Sequence, residues 1–385
     1  MACSISAGYV TMMYLIGLII LIIIIVATNK VPVKFYWIGI LVISAILVYS
    51  TTLLGSSVVG SDIQGELRAA RNAMAGVPIF GDHENQNSTS LVTVLLAPAL
   101  GKFIDIVWVY KVIFPIFLIF VPVILYFVYK GQFGERNAFY SAVFFMIMPV
   151  FSLEIATIVK SMVAEFFFAI MILAVVGKMK WKMPVIIVCL LAMVAAHYTI
   201  ALAAFAFLAG ILGIRIVLYK WWKNVETPLT TLGIPLVIGV MVFIYYYSLT
   251  LDGSMNKVVV SIFSQQWFGS ATNVVVTQKT DSFISEYPAI VKVALGMDFW
   301  DASLWGKLFR IVQVITQVSI VVGAWLVVFK SNFSAEFKAG VICGLGLLGL
   351  CVVAPGFSAI LNMTRFYHIA LFFLAPCLVM AWRPK

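Results

Sequence analysis

The chain reads as an all-α polytopic membrane protein, and three observations predict it. Of its 385 residues, 63% are hydrophobic and 10% charged, with a mean hydropathy of +1.11, whereas a soluble domain carries about 25% charged residues. The apolar residues fall in long runs of membrane-spanning length. The basic residues sit in short clusters between those runs, so the formal net charge of +10 is the footprint of membrane topology and not of a nucleic-acid surface. Nucleic-acid partners are therefore not expected. Cys3, Cys189, Cys343, Cys351 and Cys377 form no CxxC pair and four lie inside apolar runs, which argues against a disulfide framework or a zinc site.

Tyr9 to Thr28 is uncharged and, at about twenty residues, can cross a hydrocarbon core. It lacks the basic n-region of a signal peptide and its apolar part is too long for one, so it is read as the first helix. Lys30 and Lys34 separate it from the second, Phe35 to Leu54. A polar stretch, Val59 to Asn87, follows. Its residues Ile63, Leu67, Ala70 and Met74 recur at helical spacing, which predicts an interfacial helix lying along the membrane surface. Leu91 to Leu100, broken by Pro98, is too short to span and is expected to be re-entrant or interfacial. Helix three covers Ile106 to Tyr129, with kinks expected at Pro115 and Pro122. Helices four and five are Asn137 to Phe151 and Ser161 to Gly177.

The apolar run from Pro184 to Tyr219 would reach ~54 Å as one helix, far beyond a bilayer. Basic clusters flank it on both sides, so both ends belong to one face and the run is a helical hairpin with its tip near His197, Tyr198 and Thr199. Helices eight to eleven are Leu229 to Leu251, Leu308 to Phe329, Ala339 to Val353 and Phe366 to Trp382. The expectation is thus about 11 transmembrane helices in a single integral membrane domain, 1–385, with a first outer loop at 55–104 and a partly helical outer loop at 252–307. Amphipathic helices are predicted in the latter from Ile262, Phe263, Trp267 and Phe268 and from the Phe299, Trp300, Leu304 and Trp305 cluster. Trp181, Trp221 and Trp222 on one side, and Trp267, Trp300 and Trp305 on the other, read as interfacial belts.

With alternate loops assigned to the cytoplasm, basic residues such as Lys34, Lys130, Arg136, Lys178, Lys180 and Arg215 gather inside against Glu135, Glu226 and Glu336. The positive-inside rule then puts the N-terminus outside and the C-terminus in the cytoplasm of a multi-pass plasma-membrane protein. This topology sends Asp62, Glu66, Asp82, His83, Glu84, Glu154, Lys160, His197, Tyr198, Arg365 and His368 to the outer face. A secondary transporter is expected to show an internal repeat and ionisable or broken-helix sites near the midplane. No repeat is visible, and the polar chemistry is one-sided.

GSDIQGE at 60–66, LEIATIVKSMVAEFFFA at 153–169, AAHYTI at 195–200 and TRFYHIALFFLAP at 364–376 resemble an uncharacterised archaeal family of integral membrane proteins. That family in turn resembles the GT-C class of polyprenyl-phosphate-dependent glycosyltransferases. The resemblance implies a GT-C-like fold and transfer of a sugar from a lipid-linked donor to an extracytoplasmic glycan or protein acceptor in the cell envelope. It implies a catalytic set of Asp62 (general base or acceptor-positioning acid), Glu66 as its companion and Glu154 as a second acidic motif. Lys160, Arg365 and His368 would face the lipid phosphate, with His197 and Tyr198 at the rim. A divalent cation such as Mg or Mn, where one is used, would fall to Asp62 and Glu154. Gln64 stands where relatives often have His, Thr364 where Asp is frequent, and no large extracytoplasmic C-terminal domain is seen. The chemistry is consistent: sugar transfer needs a carboxylate to take the acceptor proton and cations to hold the leaving phosphate, and Arg matches phosphate oxygens with its fork.

Plainer readings stand beside these. Asp62 and Glu66 can pair with Arg68 or Arg71 on a solvated helix; Glu154 and Lys160 can bound an outer loop; His197 can cap the hairpin; Arg365 can snorkel. Asp82, His83 and Glu84 are adjacent, and adjacent residues on a loop rarely converge on one ion. Lys111 is assigned to Asp105, to Glu154 or to an outward path. Asn87 and Asn362 fit the outward glycosylation pattern and Asn332 the same pattern on the inner side. The alternatives in function are a non-catalytic membrane subunit or scaffold of a cell-envelope assembly, with membrane protein partners, or a lipid or polymer transporter.

Overall fold

The computed structural model describes residues 16–28, 30–77, 89–218, 227–250, 296, 298–330, 332–353 and 363–382, and among them every regular element is helical. The chain is a helical membrane protein. Eight helices are long and apolar enough to cross a bilayer, and a bent pair makes a ninth candidate. In chain order the helices are α1 (Ile16–Ala27), α2 (Tyr36–Thr52), α3 (Ser61–Met74), α4 (Val92–Gly101), α5 (Ile106–Phe133), α6 (Glu135–Ile147), α7 (Val159–Val176), α8 (Lys182–Ala196), α9 (Tyr198–Val217), α10 (Leu229–Thr250), α11 (Leu304–Phe329), α12 (Ala335–Val353) and α13 (Met363–Ala381). The segment Val150–Thr157 is bent by 54° from α6 and leads into α7.

Helix packing follows hairpin logic, with short connections joining neighbours. α5 packs on α6 and α7, α7 on α8, α8 on α10, and α13 on α6, α11 and α12. The middle of the bundle is aromatic: Phe168, Phe372 and Phe373 are fully buried, with Phe168 edge-on to Phe372 and Phe207 stacked on Phe373. The faces of α10 and α11 away from the bundle are exposed and apolar, including Met241, Ile244, Val312, Val318 and Trp325, as lipid-facing helices require.

Prolines and π turns leave backbone groups unpaired inside a helix, and side chains from neighbouring helices meet several of them. Pro376 offers no N–H to the carbonyl of Phe372, four residues earlier, and the Tyr129 hydroxyl of α5 donates to that oxygen at 3.0 Å. The π turn Val109–Ile113 lies just before Pro115 in α5. There Thr52 Oγ1 donates to Lys111 O and the Tyr49 hydroxyl to Val112 O, each at 3.1 Å. Lys111 itself is buried and gives its ammonium to the carbonyls of Leu54, Gly55 and Ser57 at the end of α2. It pairs with neither Asp105 nor Glu154; Asp105 instead caps α5 through Val107 N at 2.8 Å.

The structure corrects several expectations. Helix four stops at Ile147 instead of running to Phe151, because Pro149 pushes Met148 to an extended ψ of 126°. The apolar stripe of α3 does not lie on lipid: Ile63, Leu67 and Ala70 are buried in the protein core, α3 packs on α4, and only Met74 of the stripe is exposed. The short apolar helix α4 supplies the apolar surface that lipid was expected to supply. Helix nine begins a turn early, at Leu304, because Ser303 accepts from Gly306 N and caps it. Lys182, Arg215 and Glu336, assigned to the inner side, are buried within the bundle end. Arg215 Nη1 is 3.2 Å from Glu336 Oε1, which also accepts from Thr227 N at 3.0 Å, and Lys182 Nζ donates to Thr227 Oγ1 at 2.6 Å. The hairpin at α8 and α9 matches its expectation, with the break at His197. Most of the 252–307 loop, including Trp267, lies outside the described residues, as do Trp221, Trp222, Asn87, Asn362 and the Asp82, His83, Glu84 cluster.

Candidate functional site

Four chain segments meet at one end of the bundle. The first is the N-terminus of α3. Gly60 precedes it with φ +124°, and a Cβ there would stand 2.7 Å from Thr157 Cβ. Only glycine allows that approach and that dihedral. It brings Asp62, in the first turn of α3, up to the bent segment. The second is that segment, where the π turn Val150–Glu154 ends in Glu154; π turns of this kind often mark functional sites. The third is the start of α7, carrying Lys160, and the fourth is the start of α13, carrying Thr364 and Arg365.

Arg365 joins the carboxylates. Its Nε donates to Glu154 Oε1 at 2.9 Å and its Nη2 to Asp62 Oδ2 at 3.1 Å. The Thr364 hydroxyl donates to the other Glu154 oxygen, Oε2, so Glu154 is held on both oxygens by consecutive residues of α13. A hydroxyl at position 364 suits this contact, since an Asp there would repel Glu154. Side-chain exposure is 43% for Asp62, 28% for Arg365 and 25% for Glu154, so the cluster opens to its surroundings on the Asp62 side. Ser61 Oγ lies 3.5 Å from Asp62 Oδ1. Neither Asp62 nor Glu66 pairs with Arg68 or Arg71; their partners come from α13 and α7.

Glu66 lies behind this cluster with no exposure. Its Oε2 accepts from Val159 N at 2.9 Å, satisfying a donor at the N-terminus of α7, and its Oε1 is 3.9 Å from Lys160 Nζ. Burial pushes the Glu66 carboxyl up to about 7; Lys160 and the Val159 N–H oppose that rise, and the charge of Asp62 adds to it. The same cluster affects His197. Burial lowers its basicity well below the ordinary imidazole value, and the charges of Lys160 and Arg365 lower it further. His197 caps α9 by accepting from Thr199 N on Nδ1 at 3.2 Å, and its ring stacks on Tyr198 at 5.5 Å and 11°. It is a buried neutral cap close to the cations, not a rim residue open to solvent; Tyr198 beside it is half-buried.

His368 departs most from its expectation. It is fully buried one helical turn past Arg365, with Nε2 3.2 Å from Glu165 Oε2 and its ring against Phe145. It has no exposed surface to offer a ligand, and its polar contact is with Glu165. Glu165 lies outside the set the sequence suggests for the site; its one signal there is a lone carboxylate within the apolar run of helix five.

The residues named for a divalent cation do not fit one. Asp62 and Glu154 are bridged by a guanidinium whose charge occupies the place an ion would take. Among the described residues no group of three or more His, Cys, Asp or Glu side chains could hold a metal. Compared with family models, with curated proteins and with solved structures, the chain finds no match.

Proposed function

We propose that the protein is a membrane glycosyltransferase of GT-C-like arrangement, with about 11 spans and the cluster on the extracytoplasmic face, that moves a sugar from a polyprenyl-phosphate donor to an acceptor outside the cell. The observation that carries this reading is the meeting of Asp62, Glu154 and Arg365 from segments 303 and 211 residues apart in sequence at one end of the bundle. Two partly exposed carboxylates, Asp62 more open than Glu154, together with Arg365 and Lys160 provide both a proton acceptor and cations for a leaving phosphate. In the step proposed, the acceptor oxygen or nitrogen attacks the anomeric carbon and its proton passes to Asp62. The bond between that carbon and the phosphate oxygen breaks, and the polyprenyl phosphate leaves with the electron pair. Arg365 has five N–H groups and these two bonds use two of them, so the fork can serve carboxylates and a phosphate together. Glu154 and Thr364 aim the guanidinium, and Lys160, anchored by Glu66, adds the second positive charge.

The test is sugar transfer by the protein in liposomes supplied with labelled polyprenyl-phosphate sugars and cell-envelope acceptors. Asp62→Asn is expected to lower turnover by about 10² or more with folding intact; equal turnover in the variant would remove the reading. One observation favours a scaffold instead: both carboxylates are already bonded to Arg365, as a purely structural ion cluster would have them. A scaffold would retain its assembly function in Asp62→Asn. A transporter reading asks for a polar path, and the Phe168, Phe207, Phe372 and Phe373 layer lies between the two polar ends.

A further inference from the structure

The apolar layer beneath the cluster holds a polar pair with no part in the proposed transfer. His368 and Glu165 are 0% and 1% exposed and 3.2 Å apart. The imidazole is walled by Phe145, Phe151 and Phe372, with ring centroids 4.5, 6.1 and 5.9 Å away. Taking two ionisable groups out of water is costly, and an apolar pair of similar volume often serves stability as well or better. Stability alone therefore does not explain the pair, and an ionisable side chain within a membrane is a functional candidate from the outset.

Its neighbours supply an explanation. His368 follows Arg365 by one turn of α13. Glu165 sits on α7, five residues after Lys160, and Phe151 belongs to the π turn that ends in Glu154. One polar contact and one ring contact thus link the three elements that present Arg365, Lys160 and Glu154. Packed phenylalanines tolerate small rotations and slides of a helix, whereas a hydrogen bond in a low-dielectric interior is directional and strong enough to fix both.

We propose that Glu165 and His368 are positioning residues, which lock the register of α13 against α7 and the bent segment so that Arg365 meets a lipid-linked phosphate at one fixed place. This inference rests on the transferase reading. It concerns residues that touch no substrate and whose effect is exerted through Arg365.

The test measures binding of farnesyl monophosphate, a short polyprenyl phosphate, to the full chain in detergent, together with the thermal midpoint. The variants are Glu165→Leu with His368→Leu, Glu165→Met with His368→Met as a second apolar pair, Glu165→Gln alone, and Arg365→Gln. Both apolar pairs are expected to bind at least about tenfold more weakly, since small misplacements of a binding group carry such penalties, with the midpoint unchanged. Glu165→Gln keeps a hydrogen bond to His368 and is expected to bind like the parent, a rescue that generic packing would not predict. Arg365→Gln is expected to lose binding. Apolar pairs that bind like the parent while Arg365→Gln does not would overturn the positioning role and leave the transferase reading standing. Arg365→Gln binding like the parent would remove both. A midpoint that falls in both apolar pairs would show that the pair serves the fold, and would also overturn the inference.

Discussion

Arg365 bonds Glu154 through Nε at 2.9 Å and Asp62 through Nη2 at 3.1 Å, so one guanidinium ties α13 to both the bent segment and α3. A lysine carries the same charge but presents a single ammonium in place of a planar fork. Arg365→Lys is expected to lower transfer by roughly 10²–10³, as loss of a donor to a developing negative charge does elsewhere, while the thermal midpoint moves little. Single-turnover kinetics on the two proteins checks this.

Glu66 gives the molecule a pH dependence. Its carboxyl is raised from 4.5 to about 7 in the folded protein, so between those values the folded state holds a proton that the unfolded state has released. The contribution of Glu66 to stability is therefore fully present below about pH 4.5, is lost as pH rises through about 7 and changes no further above. The total is on the order of 3 kcal/mol at 1.36 kcal/mol per unit. Thermal midpoints in detergent from pH 5 to 8 should fall in the parent and lose most of that slope in Glu66→Gln. Equal slopes in the two proteins would show that this carboxyl is not the source.

Gly60 is where backbone conformation sets the site. Adding a methyl at φ +124° and 2.7 Å from Thr157 Cβ forces α3 away from the bent segment. Gly60→Ala is expected to cost roughly 1–3 kcal/mol and to lengthen the Asp62 to Arg365 contact. Activity should fall by more than the loss of folded protein explains, which a titration of folded fraction against turnover would reveal.

The opposite end makes a control. Glu336→Leu leaves the buried Arg215 cation without its carboxylate, and such a loss costs roughly 3–5 kcal/mol. Arg215→Leu combined with Glu336→Leu should recover most of it. Turnover per folded molecule is expected to stay at the parent level in the double variant, because Arg215 and Glu336 join α9 to α12 at the end away from Asp62.

Much of this arrangement was legible in the sequence because it is local. Apolar runs of fixed length gave the helices, and a run too long for one bilayer gave the hairpin that breaks at His197. The polar stretch at Gly60 to Glu66 singles out Asp62, but the only partners it offers are the neighbouring Arg68 and Arg71, neither of which pairs with it. What stayed hidden depends on distant pairing. The contacts of Arg365 span 211 and 303 residues, and no periodicity encodes them, so the sequence points to a phosphate ligand or a snorkelling anchor at Arg365 and not to a bridge between carboxylates. His368 lies one turn from Arg365 on the same helix, yet packing turns it into the core against Glu165. The stripe on α3 shows the same limit: helical spacing reveals an apolar face but not whether lipid or protein covers it.

The most direct measurement is a density map of the protein extracted with its native lipids, read around Asp62, Glu154, Lys160 and Arg365. The account expects a phosphate within hydrogen-bonding distance of Arg365 and Lys160, carrying an isoprenoid tail into the bilayer beside α13. Ordinary phospholipid around the helices, with the Asp62, Arg365 and Glu154 cluster sealed from any headgroup, would contradict it.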